Sequence, residues 1–146
     1  MSSLEIQQER HSATGAEVLA PQGEIDISNV EILDRVLGEA LDRQPPRLLV
    51  DLGRVEYLDS AGVSSLLRAG QAIERSGGKL VLVGGNRFIR RLLRMTGVDR
   101  LFGHQDTVAA ALGIGPNENT EDEAPVRNGA ATESGGAPFQ AMGKKR

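Results

Sequence analysis

Apolar positions along the chain recur with two different periods, and the changes of period mark the elements. Leu4 to Arg10 and Glu17 to Gln22 flank the turn signal Ser12-Ala13-Thr14-Gly15, which predicts a pair of antiparallel strands. After Gly23-Glu24-Ile25-Asp26 the period lengthens, and Val30, Leu33, Leu37, Ala40 and Leu41 make a helical stripe. Ser28 and Glu31 read as a capping box at its start, and Pro45-Pro46 stops it. The run Arg47-Leu48-Leu49-Val50-Asp51-Leu52 is apolar without alternation, as in a strand covered on both faces or on one face and one edge.

Beyond Tyr57, Val63, Leu66, Leu67, Gly70 and Ile73 recur at i, i+3, i+4, i+7 and i+10, predicting a helix over about 60–75 that Gly77-Gly78 closes. Lys79-Leu80-Val81-Leu82-Val83 is the most strand-like run of all. Asn86 caps a third helix, 87–96, expected to turn Phe88, Ile89, Leu92 and Leu93 inward and to end at Gly97. Val98 to Phe102 reads as a short strand, and Asp106 opens a last helix through Leu112 with Val108, Ala111 and Leu112 as its apolar face. The order β-β-α-β-α-β-α-β-α implies a single α/β domain over residues 1–112. It is a mixed sheet of about four to five strands, parallel through right-handed crossovers in its later part, with helices mainly on one face.

From Gly113 the periodicity is lost, and Gly-Ile-Gly-Pro-Asn-Glu-Asn-Thr-Glu-Asp-Glu-Ala-Pro leads to Lys144-Lys145-Arg146. Such a composition buries too little apolar area to offset its ordering entropy, so 113–146 is expected to be a disordered low-complexity tail.

Composition narrows the function. A net charge of −3 and 3% aromatic residues give a nucleic-acid interface neither a basic excess nor stacking platforms. The absence of cysteine excludes disulfides and thiolate metal sites and is compatible with the cytosol. With neither a basic, apolar leader nor a run of membrane-spanning length, the expectation is a cytoplasmic protein with no membrane partner.

The segment Leu58-Asp59-Ser60-Ala61-Gly62 joins a buried strand to an amphipathic helix, so Asp59 and Ser60 stand at the helix entry. There the first four N–H groups lack intrahelical partners and the macrodipole is positive, a setting that receives a phosphate well. The plainer alternative is that both residues are ordinary N-caps. Asp26, after the second strand, lies near Asp59 and Ser60 if that strand pairs with 47–52; otherwise it is a loop or capping carboxylate.

Other chemistry finds less support. A serine-hydrolase elbow is G-x-S-x-G, and the first Gly position holds Leu58. His11 and His104 are far from Ser60 in sequence, and without a clustered carboxylate they make a metal site or a catalytic base unexpected. Gly84-Gly85-Asn86 has the position of a phosphate-binding loop but neither G-x-G-x-x-G nor G-x-x-x-x-G-K-[ST], so a small nucleotide-binding enzyme is a distant alternative to a tight turn. Arg87, Arg90, Arg91 and Arg94 line one helix face, either as a solvated surface or as contact for an acidic partner.

Gly23-Glu24-Ile25-Asp26, Leu49-Val50-Asp51-Leu52 running to Tyr57-Leu58-Asp59-Ser60-Ala61-Gly62-Val63, Gly77-Gly78-Lys79-Leu80-Val81-Leu82-Val83 and Arg91-Leu92-Leu93-Arg94-Met95-Thr96-Gly97-Val98 occur in that order. Together they resemble the STAS domain of bacterial anti-sigma factor antagonists over nearly all of residues 4–112. The resemblance implies a STAS-like fold and a regulator of partner switching, with no enzyme activity and no cofactor. It implies that Ser60 is phosphorylated by a serine-kinase anti-sigma factor, that a PP2C-type phosphatase restores the unmodified form, and that Asp26, Asp59, Ser60, Ala61 and Gly62 meet the partner. Many relatives have Ser or Thr after the phosphorylated serine, where this chain has Ala61. Within the same fold, the alternative is a non-switching STAS subunit of a scaffold or transporter-associated complex, in which Ser60 is only a cap.

Overall fold

The computed structural model describes residues 4–114. Strand β1 (Leu4–His11) turns back through 12–15 into β2 (Ala16–Ile25), and the two pair antiparallel along the whole of β1. Helix α1 (Val30–Asp42) crosses over to β3 (Arg47–Asp51), which lies parallel to β2. A short turn, held by the Gly53 N–H donating to Asp51 Oδ1 at 2.9 Å, then starts β4 (Arg54–Leu58). Helix α2 (Ser60–Arg75), β5 (Lys79–Val83), α3 (Arg87–Thr96), α4 (Val98–Phe102), β6 (His104–Gln105) and α5 (Val108–Leu112) complete the chain order.

The sheet runs β1-β2-β3-β5-β6, and β4 pairs with the far end of β2. Strand β2 therefore has two parallel partners end to end along one edge: Glu17 to Leu19 match Leu48 to Val50, and Gln22 to Ile25 match Arg54 to Leu58. Pro21 sits in the gap between them, where a residue without an N–H interrupts no ladder on that edge.

Rows of the sheet alternate faces. Leu19, Val50 and Leu82 share one row and join Leu33, Leu37, Leu66 and Ile73 in the main core under α1 and α2. Val18, Leu49 and Val81 form the next row on the opposite face, where Arg47 Nη1 donates to the Ala111 carbonyl of α5. Helices α1 and α2 are fastened to each other as well: the buried Ser65 hydroxyl donates to Asp34 Oδ1, and Arg68 pairs with the same carboxylate. At the other end of α1, Arg43 pairs at 3.0 Å with Glu17, a residue only 4% exposed on the core side of β2.

The expected α/β architecture holds, and several local expectations do not. Val98–Phe102 is a helix, not a strand. Gly97 in the left-handed conformation, φ 79°, reverses the chain, and Val98 and Phe102, four apart, bury on one helical face; a strand would have carried Arg100 inward with them. The edge strand is instead the two-residue β6. Ser28 does not open a capping box: its hydroxyl donates to Asp26 Oδ1, and α1 starts one residue later, with Asn29 at the N-cap. Phe88 faces outward. The last helix begins after Thr107, whose hydroxyl accepts from the Ala110 N–H, so Asp106 is not its cap. Apart from Gly113 and Ile114, the tail expected over 113–146 lies outside the described residues.

Candidate functional site

Strand β4 is not a regular strand, and its irregularity builds the site. Gly23 matches Val55, but Glu24 matches Tyr57, so Glu56 is an extra residue bulged out of the ladder. The bulge shifts the phase of alternation: Val55 and Leu58, an odd number apart, both bury, while Tyr57 stays outside. Ile25 and Leu58 then end side by side on parallel strands, and the next residues, Asp26 and Asp59, leave the sheet together at its carboxyl end. In open parallel sheets this end is where sites form.

Asp59 ties the two strand ends together. Its N–H donates to the Ile25 carbonyl at 3.2 Å, and its Oδ2 accepts from the Ile27 N–H at 3.2 Å. The other carboxylate oxygen accepts from the Ala61 and Gly62 N–H groups at 2.9 and 3.1 Å, which makes Asp59 the N-cap of α2. The roles of Ala61 and Gly62 in this turn are thus carried by their backbones. Gly62 must also be small, because a Cβ there would lie 2.3 Å from Leu58 Cδ1 and 2.9 Å from Ile25 Cγ2, the two side chains that close the strand ends.

Ser60 is the first helical residue of α2, and it is exposed. Its hydroxyl makes no hydrogen bond among the described residues. Capping is done entirely by its neighbour, so the hydroxyl is available at the positive end of a 16-residue helix.

Asp26 is close to this turn through the backbone, but its carboxylate is held by Ser28, accepting from the N–H at 3.0 Å and from the hydroxyl. Asn29 braces the same loop, accepting from the Asp26 N–H and donating to the Glu24 carbonyl. The pole around Ser60 therefore presents two carboxylates and Ile27, which is 75% exposed. Ile27 has no place among the residues expected from the sequence: two after Ile25 and three before Val30, it continues both neighbouring periods, and nothing local marks it as exposed.

Other candidate groups lie elsewhere. His11 bonds Thr14 in the β1–β2 turn, at the opposite end of β2 from Ile25, and His104 Nε2 donates to the Gly84 carbonyl at 2.7 Å. Gly84 and Gly85 have φ of 67° and 108°, and Asn86 Oδ1 accepts from the Ile89 N–H while its amide reaches the Val55 and Glu56 carbonyls. That loop is a tight turn which fastens α3 to β4. Among the described residues, no helix is long and apolar enough to cross a membrane.

This chain belongs to the STAS domain family, whose profile matches residues 7–111. Among curated relatives, the chain is similar to the anti-sigma-F factor antagonist RsfB of Mycobacterium tuberculosis, with 33% identity over 98 residues, 67% of this chain and 80% of that one. The anti-sigma F factor antagonist of Paenibacillus polymyxa is 26% identical over 111 residues, covering 75% and 93% of the two chains. The crystal structure of an anti-sigma factor antagonist from Mycobacterium paratuberculosis superposes with a TM-score of 0.70 at 30% identity, over 76% of this chain and 92% of that one.

Proposed function

We propose that this chain is an anti-sigma factor antagonist whose association with a serine-kinase anti-sigma factor is switched by phosphorylation of Ser60. The names of its relatives support the antagonist role. The observation that carries the switch is the division of labour at α2: Asp59 caps the helix, and the exposed Ser60 hydroxyl has no structural partner among the described residues. A serine that served only as a cap would be used up in that role, which favours the switch over a non-switching subunit.

In the proposed reaction Ser60 Oγ attacks the γ-phosphorus of ATP held by the kinase. The bond to ADP breaks, and the hydroxyl proton passes to the kinase's base. The modified residue gains roughly 1.5 to 2 negative charges. It lies beside Asp59 and near Asp26, with its repulsion partly relieved by the helix N-terminus. Because Asp59 keeps the cap, the fold does not depend on the modification. A partner that buries this pole does: an added charge unmet by a cation costs several kcal/mol, and each ~1.4 kcal/mol is tenfold in affinity. Release follows from charge, and a PP2C-type phosphatase reverses it.

The test is direct. Incubation with ATP and each purified serine-kinase anti-sigma factor encoded with this chain is expected to add one phosphate, located on Ser60 by mass spectrometry. Absence of any modification at Ser60 across that set would overturn the reading.

A further inference from the structure

Helix α3 carries Arg87, Arg90, Arg91 and Arg94 and no acidic residue, in a chain whose net charge is −3. Arg90 is engaged, donating from Nε to the Gly85 carbonyl and pairing with Asp106 at 3.0 Å. Arg87, Arg91 and Arg94 are exposed, and their guanidinium groups have no ion pair or hydrogen bond among the described residues. Between them two apolar side chains meet water: Phe88 at 47% and Met95 at 72% exposure. Residues 88, 91 and 95 follow i, i+3 and i+7, so they stand on one face about 10 Å long. Packing does not need them there, because Ile89 and Leu93 already bury the inner side of α3. Phe88 is further braced from β4, its ring stacked on Tyr57 with centroids 5.6 Å apart and planes within 8°.

This face is tied to the strand that leads to the Ser60 pole. Tyr57 precedes Ser60 by three residues, about 10 Å of extended chain, and Asn86 fastens the start of α3 to Glu56. The two halves have opposite sign: Asp26 and Asp59 on one side, three guanidinium groups unpaired among the described residues on the other.

We infer that Tyr57, Phe88, Arg91 and Met95, flanked by Arg87 and Arg94, form a second half of the docking surface, which receives an acidic segment of the kinase partner. The inference rests on the function proposed above. Partner carboxylates meet the guanidinium groups, and partner apolar side chains cover the Tyr57–Phe88 stack and Met95. A surface with two poles of opposite charge admits a partner in one orientation, which brings the Ser60 hydroxyl to the kinase's ATP and selects among kinases that would all accept the same Asp-Ser turn. A polyanion fits less well. Nucleic acid or anionic lipid would meet the repulsion of Asp26 and Asp59, and the stacked rings leave little face for an intercalating base.

The test uses the full chain and, as probe, the purified kinase that phosphorylates Ser60 in the experiment above. The double variant R91E/R94E is expected to raise the KM of the chain as a kinase substrate about tenfold or more, with kcat within about twofold, because the surface governs encounter and not chemistry. R91K/R94K should recover most of the affinity, and Phe88→Ser should raise KM without altering its salt dependence. Thermal midpoints measured alongside separate docking from folding. An unchanged KM for R91E/R94E, with Ser60 still phosphorylated, overturns this inference and leaves the switch standing. If no kinase modifies Ser60, the underlying reading falls and this one with it. Binding of duplex DNA or of phosphatidylglycerol vesicles that R91E/R94E abolishes, with KM unchanged, reassigns the surface to a polyanion and also overturns it.

Discussion

At the entry to α2, Asp59 engages three backbone N–H groups, two in the helix and one at Ile27, while the next side chain engages none. The two residues should therefore respond differently to substitution. Asp59→Ala removes a cap and the tie between two strand ends, and is expected to lower stability by about 1–2 kcal/mol in urea unfolding. Ser60→Ala should leave stability within about 0.5 kcal/mol and keep partner binding, whereas Ser60→Asp should weaken binding at least about tenfold in calorimetry. One carboxylate copies only part of a phosphate, so the modified protein should bind more weakly still. Gly62 is limited by space: Gly62→Ala pushes a methyl into Leu58 and Ile25 and should cost about 1–3 kcal/mol. The Asp-Ser-x-Gly pattern is legible in the sequence, because helix entries are local. Which of Asp59 and Ser60 serves as the cap is not, since both residue types are good N-caps and shifting the helix start by one residue suits either.

At the scale of elements, the bulge at Glu56 is what periodicity hides. Val55 and Leu58 break a period of two and, at i and i+3, stay in phase with the apolar stripe of α2, so alternation alone does not reveal β4. The strand is visible only once Ile25 stands next to Leu58. Helix α4 departs from the expected strand for the opposite reason: five residues offer a single i, i+4 pair, too little to outweigh their strand-like composition. The link between α1 and β2 is testable. Arg43 is held above its ordinary range, chiefly by its hydrogen bond to Glu17, so what it contributes to stability is complete at neutral pH and disappears only in strong alkali. Arg43→Met leaves the Glu17 carboxylate buried without its partner and is expected to cost about 1–3 kcal/mol, less than a fully buried pair would because Arg43 is partly exposed. Glu17→Gln in the same background should restore part of that loss, as measured in a double-mutant cycle.

For the whole molecule, the site and the core are separate. The residues that bury, from Leu4 to Leu112, pack around the sheet, and Ser60 lies outside that packing. Phosphorylation at Ser60 is accordingly expected to move amide resonances in 25–29 and 58–64 while leaving those of β3, β5 and α5 in place. A spectrum in which shifts spread through the sheet would replace release by charge with release by conformational change.

Amphipathic period, glycine and proline punctuation and the strand-helix alternation determined the α/β class, four of the helices (α1, α2, α3 and α5) and the position of Ser60 at a helix start. Each of those depends on residues within one or two turns of one another. Only the tertiary structure decided that β4 pairs with the end of β2, that Asp26 and Asp59 leave the sheet together, and that Phe88 turns outward to stack on Tyr57. Those contacts join residues about thirty positions apart, and their free energy depends on which surfaces the sheet brings together, which no local pattern records.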